Sequence, residues 1–466
     1  MKRTFFTIAA MCCAVLGFAQ NPKATKIEYE SGKVMYFEID AATHTAAVTW
    51  NNKVNYEYAP TPEYTGDIKI PATVTYGGEN YAVTAIGNYA FNVCDKLTSV
   101  TIPSSVKCIG ELAFNQATAL TSVGFESESQ LEVIEKIAFF NTALPSIQLP
   151  ASLKVIGSYS FGSCTKMTEV TFPANSALDS IQDGAFSATK LTSFTVPASL
   201  RFIGSMAFQN TSDLKNFTFA DIEHSQLECI AELAFNVSGI TAIELPSSLK
   251  KIEDGAFYAS ELATVNFRDN SQLETIERTA FWGTNLSTVN IPSTVKIVGK
   301  EAFASCGKLN MVYNYSENVA GFDATAFNDC GAEITMYVPF KPYEQFKALY
   351  PEIRMVVDLE VYRKGALESI AEEMKTPNTI SDADMERIEI YIATIQSTRN
   401  FYTAYSSYNA AMSIINKQKE IEETLARILG SLGTKQEGTA VRLTGSDGKS
   451  FIFYAPASVE YIKVKQ

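Results

Sequence analysis

The chain has 466 residues, 46% hydrophobic and 19% charged, which is the balance of a folded protein and excludes wholesale disorder. Its net charge is −13, with −14 in residues 21–358, −1 in residues 359–466 and +2 from Lys2 and Arg3. A surface this acidic repels phosphate backbones and anionic lipid, which argues against nucleic acids and anionic membrane surfaces as partners.

Residues 1–19 read as a secretory signal. Lys2 and Arg3 supply the positive start, FFTIAAMCCAVLGF is too short to span a bilayer, and Gly17 and Ala19 are the small residues that a signal peptidase requires. The cut is expected near Ala19/Gln20, leaving a chain with no membrane-inserted segment. Cys12 leaves a lipoprotein form open, although Met11 stands where a small residue is required. Residues 20–80 alternate polar and apolar in KIEYE, KVMYFEID, TAAVTW and VNYEYA, which predicts an N-terminal β cap.

From 81 to 338 the sequence repeats. Ala-Phe, once Ser-Phe, recurs with Phe91, Phe114, Phe139, Phe161, Phe186, Phe208, Phe235, Phe257, Phe281, Phe303 and Phe327, at gaps of 22 to 27 residues. Five residues earlier stands an aliphatic residue or, once, Phe322: Ile86, Ile109 and Ile134 begin the series. Downstream comes L-x-x-V-x-I, as in LTSVTIP at 97–103. Short turns carry a proline hairpin, such as IPSSV at 102–106, and long turns insert polar residues, as in FESESQLEVI at 125–134.

The L-x-x-V-x-I alternation predicts a half-buried strand, ended by a proline that lacks an N–H. Ile-x-x-x-Ala-Phe lacks that alternation and predicts a tight helical turn on the opposite wall, with Phe filling the space between walls. One turn cannot bury its apolar set, but stacked turns can. The reading is an α/β repeat solenoid of about eleven turns, stacked at roughly 4.8 Å.

The six cysteines after the signal follow this register. Cys94, Cys164, Cys306 and Cys330 lie three residues after a repeat Phe, and Cys108 and Cys229 just before a repeat Ile. They read as small buried fillers of a recurring niche, with a bridge left open only between Cys306 and Cys330 in adjacent turns.

The repeat IGNYAFNVCDKLTSVTIPSSVKC at 86–108 resembles the BspA-like leucine-rich-repeat family of bacterial surface proteins. Residues 64–91 are similar to that family's lead-in and 336–353 to its exit, which makes 339–358 the expected C-terminal cap of the solenoid. The resemblance covers about 21–358 and implies a leucine-rich-repeat fold on an exported or cell-surface protein. It implies adhesion or host-factor binding only loosely, since fold does not dictate function.

After Asp358 the period becomes helical. LEVYRKGALESIAEEM at 359–374, a helix opened by Ser381 and Asp384, and a third from Phe401 to Leu429 predict a helical bundle over 359–432. Phe401, Tyr405, Tyr408, Met412, Ile415 and Leu425 line one face of the third helix and read as core. Gly-Ser-Asp-Gly between two strand-like runs predicts a β-hairpin within 433–466.

Catalytic chemistry finds no support. His44 and His224 have no second ligand at metal spacing, no G-x-S-x-G elbow accompanies them, and no phosphate-cradling glycine loop appears, so neither a metal, a cofactor nor an enzyme is expected. Glu126, Glu128, Asp221, Glu223 and Asp269 recur in the inserted loops and read as an acidic edge stripe, solvated or open to a cation or a basic partner. The outward positions of the concave strand face are mainly Ser, Thr and Asn until Tyr313. Because binding hot spots favour aromatics and Arg, better candidates are Phe140, Tyr258 and Trp282, each just after a repeat Phe. The reading is an exported protein that binds a protein or glycan, or else a spacer rod presenting a C-terminal binding module. Neither the ligand nor the oligomeric state is written in the sequence.

Overall fold

The structure is a computed structural model that describes residues 24–30, 32–50, 64–268, 270–331, 333–339, 341–357, 359–375, 380–398, 401–431, 440–444 and 450–454. The signal segment, VNYEYA, Asp269 and the Gly-Ser-Asp-Gly turn lie outside the described residues. The chain divides into two compact units, one running to Met336 with Leu349–Arg354, the other holding Tyr337–Ala348 and the residues from Met355 onward.

In the first unit the strands Thr25–Glu30, Lys33–Asp40 and Thr45–Thr49 pair antiparallel in sequence order. Thr45–Thr49 then pairs parallel with Glu79–Ile86, so the hairpins continue straight into the coil wall. That wall is one parallel sheet of two-residue strands, from Cys108–Ile109 and Val133–Ile134 through to Ile297–Val298, with each repeat aliphatic opposite its equivalent in the next coil. The L-x-x-V-x-I strands form the second wall in shorter parallel groups, Ser193–Val196, Asn216–Phe219, Ala242–Leu245 and Thr264–Phe267 making one of them. Along these strands exposed and buried residues alternate, as the sequence pattern requires.

The Ile-x-x-x-Ala-Phe segment differs from expectation in detail. It is a run of turns, not a helix. Every second N–H donates three residues back, Ala90 to the Gly87 carbonyl (3.3 Å) and Asn92 to the Tyr89 carbonyl (3.1 Å). The intervening N–H groups donate to the next coil, Tyr89 to the Glu111 carbonyl (2.9 Å), Phe91 to Ala113 (2.7 Å) and Val93 to Asn115 (2.7 Å). A helix would turn all its N–H groups inward and leave nothing to bind its neighbour laterally.

This alternation sets a backbone requirement. From Phe91 to Phe303, the residues two before and two after the repeat Phe all have positive φ, the non-glycines between 50° and 60°. Left-handed backbone costs an L-residue about 1–2 kcal/mol, so each coil carries two such costs against its inter-coil hydrogen bonds.

Between the walls the eleven phenylalanines form one stack. Neighbouring rings lie nearly parallel, from Phe91–Phe114 at 4.8 Å and 3° to Phe303–Phe327 at 5.4 Å and 5°. Tyr64 meets the first ring at 4.7 Å and 51°, its hydroxyl donating to the Thr49 carbonyl (3.0 Å). Tyr350 stands edge-on to Phe327 at 5.4 Å and 79°, its hydroxyl donating to the Asp323 carbonyl (2.8 Å). Both tyrosines end the stack with a ring face or edge and carry a polar tip that a phenylalanine lacks.

The position three after each repeat Phe is a buried niche for a small side chain. The Cys164 thiol donates to the Phe139 carbonyl (3.1 Å), Cys306 to Phe281 (3.2 Å), and the Thr189 and Thr211 hydroxyls to Phe186 (2.8 Å) and Phe208 (2.6 Å). Cys94, Cys164, Cys229, Cys306 and Cys330 are free thiols, so no bridge joins Cys306 to Cys330. Cys108 is fully buried just before the repeat Ile109, where the register places it.

The second unit contains helices α1 (Tyr343–Leu349), α2 (Leu359–Glu373), α3 (Asp382–Ser397) and α4 (Phe401–Ser431). Its core buries Ala366, Ile370, Ile388, Ile395, Ala404, Ala411 and Ile415, with Tyr408 and Met412 packed at its margin. Ser381 caps α3 by accepting the Asp384 N–H (3.2 Å). The side chains of Phe401, Tyr405 and Leu425 lie outside the described residues. Strands Ala440–Thr444 and Ser450–Tyr454 pair antiparallel.

Candidate binding surfaces on the coils

Tyr258 and Trp282 occupy the same place in adjacent coils, immediately after Phe257 and Phe281. The coil backbone superimposes them, and their rings stack with centroids 4.5 Å apart and planes 7° from parallel. Both are half-buried. Next to them in sequence stand Ala259 and Gly283, with Gly255 two residues before Phe257; of the other coils from Phe91 to Phe303, only that of Phe186 has Gly or Ala at both equivalent positions, Gly184 and Ala188. Four residues before them in each coil, Arg278 holds Asp254 through Nε (2.9 Å) and Nη2 (2.6 Å). The site offers a half-buried aromatic pair, suited to a ring or an apolar side chain.

Phe140, in the equivalent position, is spread over Gly162, where an added Cβ would stand 3.1 Å from its ring. Its surface is therefore partly used within the chain. Tyr313 lies on the strand Met311–Asn314, its hydroxyl 3.8 Å from the Met311 sulfur, remote in sequence order from the aromatic pair. The four aromatic candidates thus form one close pair and two separate positions.

The inserted-loop carboxylates are largely engaged. Lys69 reaches Glu126 (3.0 Å), His224 Nδ1 meets Asp221 (2.8 Å), and Arg268 binds Glu223 and also Glu244 (2.8 Å). Glu128 is exposed in left-handed backbone. The hydrogen bond from His224 holds the Asp221 carboxyl below its ordinary range. His44 stacks on Tyr81 at 5.8 Å. Among the described residues no three His, Cys, Asp or Glu side chains converge as a metal site. No described helix is long and apolar enough to cross a membrane.

Two features escaped the sequence reading. Two residues before the repeat aliphatic, charge alternates coil by coil: Lys107, Glu132, Lys154, Asp179, Arg201, Glu228, Lys250, Glu274 and Lys296. Stacking turns this into an ion ladder, with Lys154–Glu132 at 3.0 Å, Arg201–Glu228 at 2.9 Å, Lys250–Glu228 at 3.2 Å and Lys296–Glu274 at 2.8 Å. The signal was present, since proline-bearing turns supply the cation and long turns the anion. The second feature is Glu135, whose carboxyl is pushed up to about 7 by burial and then by the charge of Glu111. Only its neighbours across coils reveal it.

Solved structures similar to the chain include the pneumococcal vaccine antigen PcpA, at 23% identity over 72% of this chain and 98% of that one, TM-score 0.43. A leucine rich cell surface protein from Faecalibacterium prausnitzii is 22% identical over 71% and 98%, TM-score 0.36. A leucine-rich repeat protein from Bacteroides ovatus is 20% identical over 70% and 98%, TM-score 0.37. No curated protein matches the chain. The model of the BspA type leucine rich repeat region matches residues 84–215 and 212–334. With more than half its length matched, the chain belongs to the BspA-type leucine-rich-repeat family.

Proposed function

We propose that the chain is an exported, non-enzymatic interaction protein of the cell surface or extracellular space, binding a protein or glycan through its solenoid. The observation that carries this reading is the stacked Tyr258–Trp282 pair. The coil core is already filled by the phenylalanine stack, so neither ring is needed to complete it. The signal-like residues 1–19 support export, and the repeat family supports a scaffold whose outer positions vary while its core does not.

The test is a protein and glycan array probed with the mature chain and with Tyr258→Ala and Trp282→Ala. Loss of a specific signal in both variants supports the reading, and full binding by both refutes the site. A second reading, a rod that presents its C-terminal helices to a ligand, is favoured by their separate core. Binding that survives deletion of residues 359–466 removes it.

A further inference from the structure

The two left-handed files differ in composition. Two residues after the repeat Phe stand mostly small or polar types, such as Asn141, Asn210, Gly283 and Asp329, with Val93 and Val237 the bulkier exceptions. Two residues before it, six of the first seven coils carry large apolar side chains instead: Tyr89, Leu112, Ile137, Tyr159, Met206 and Leu233. All are partly or largely solvent-accessible, Tyr89 at 41% and Tyr159 at 38%. Bulky apolar residues are disfavoured here twice, by positive φ and by exposure to water.

These side chains form one strip. The exception, Gly184, lies under the Tyr159 ring, so that an added Cβ would stand 2.3 Å from it, and the Tyr159 hydroxyl reaches the Met206 sulfur at 3.9 Å. Leu233 extends over Gly255, where a Cβ would meet it at 2.8 Å. We infer that this strip is a docking surface for an amphipathic, basic α-helix lying along the coil axis.

The occupant follows from spacing and charge. Coil-to-coil separation along the neighbouring phenylalanine stack is 4.8 to 5.5 Å. A helix advances about 5.4 Å per turn and can set one apolar side chain against each coil, whereas same-face residues of a strand lie about 6.6 Å apart and drift out of step. The file just before the strip holds Glu111, Asp183 and Glu232, while its single cation in these coils, Lys136, is paired with Glu111 at 2.9 Å. On a chain of net charge −13, this favours a cationic flank on the helix. The strip shares no residue with the Tyr258–Trp282 pair, so substitutions test either surface without removing the other.

The probe is a fluorescent Leu/Lys peptide of about five helical turns, with Leu at i, i+3, i+4 and i+7. An isomer of the same composition with alternating Leu and Lys serves as control, and both are titrated against the mature full chain by anisotropy. Leu112→Asn, Met206→Asn and Leu233→Asn are compared; Asn suits the left-handed backbone, and melting curves confirm that each variant is folded. The helical-period peptide is expected to bind, the isomer to bind about tenfold more weakly, and each variant to lose about tenfold, while Trp282→Ala is unaffected. Equal binding of both isomers would leave only charge attraction and overturn the proposal. Unchanged affinity in the three variants would overturn it too, as would these residues driving sedimentation with phosphatidylcholine vesicles.

Discussion

Phe208→Ala probes the spine at its most connected point. The Phe208 ring is fully buried, stacked on Phe186 at 5.5 Å and Phe235 at 5.3 Å, and meets Phe194 and Phe217 edge-on at 4.9 and 5.4 Å. Removing a buried phenyl ring costs about 3–5 kcal/mol through lost transfer energy and the cavity left behind. Each aromatic contact adds about 0.5–1.5 kcal/mol beyond its area, which places this site near the top of that range. Phe327 is the internal control, with two ring neighbours at 5.4 Å against the four of Phe208 and 6% exposure, and should lose about 3 kcal/mol on the same change. Because each coil touches only its neighbours, the damage should be local. Hydrogen exchange should rise in the coils from Phe186 to Phe235 before the ends of the array respond, and denaturant unfolding should broaden or split. A loss below about 1 kcal/mol, or equal loss of protection in every coil, would refute a shared nearest-neighbour spine.

Gly157→Ala should destabilise by about 1–3 kcal/mol, because its Cβ would stand 2.5 Å from the Glu135 carbonyl carbon and 2.6 Å from the Ile134 oxygen, backbone atoms that cannot swing away. Gly124→Ala, with nothing within 4 Å, should change thermal stability by no more than about 0.5 kcal/mol. Glu228→Lys would set three cations side by side in the ion ladder, costing roughly 1 kcal/mol in low salt and less in concentrated salt, and melts at two ionic strengths check it. Glu135 has a folded-state carboxyl raised to about 7, so the unfolded chain releases its proton first. Stability is therefore lost as pH climbs from the ordinary carboxylate range to neutrality. Glu135→Gln should gain on the order of 1 kcal/mol above neutrality, after discounting for partial exposure, and nothing in acid, as pH-dependent denaturation would show.

The residues that repeat in kind were legible because a stack places equivalent residues in contact. Phe91 to Phe327 could be assigned to one spine from spacing alone, and Tyr258 next to Trp282 follows from the same register. The turn segment was misread because alternation of hydrogen-bond direction leaves no mark in hydrophobic period; only Asn141, Asn210 and Gly283 hint at left-handed backbone. The inserted-loop carboxylates looked like a free stripe because their cations come from distant positions, Lys69 for Glu126 and Arg268 for Glu223.

The sequence by itself determined the architecture, since a side chain that recurs every coil must either share a core or face water in every coil. It determined the two-coil unit as well, through proline turns alternating with insertions and cations alternating with anions. What the tertiary structure decided was which side chains remain available. The rings of Tyr258 and Trp282 closed to 4.5 Å and 7° from parallel, Phe140 settled on a glycine, and a file of apolar residues emerged on strained backbone. Those outcomes depend on distances of a few ångströms between coils, where one small residue opens or closes a surface, and linear order carries no record of that.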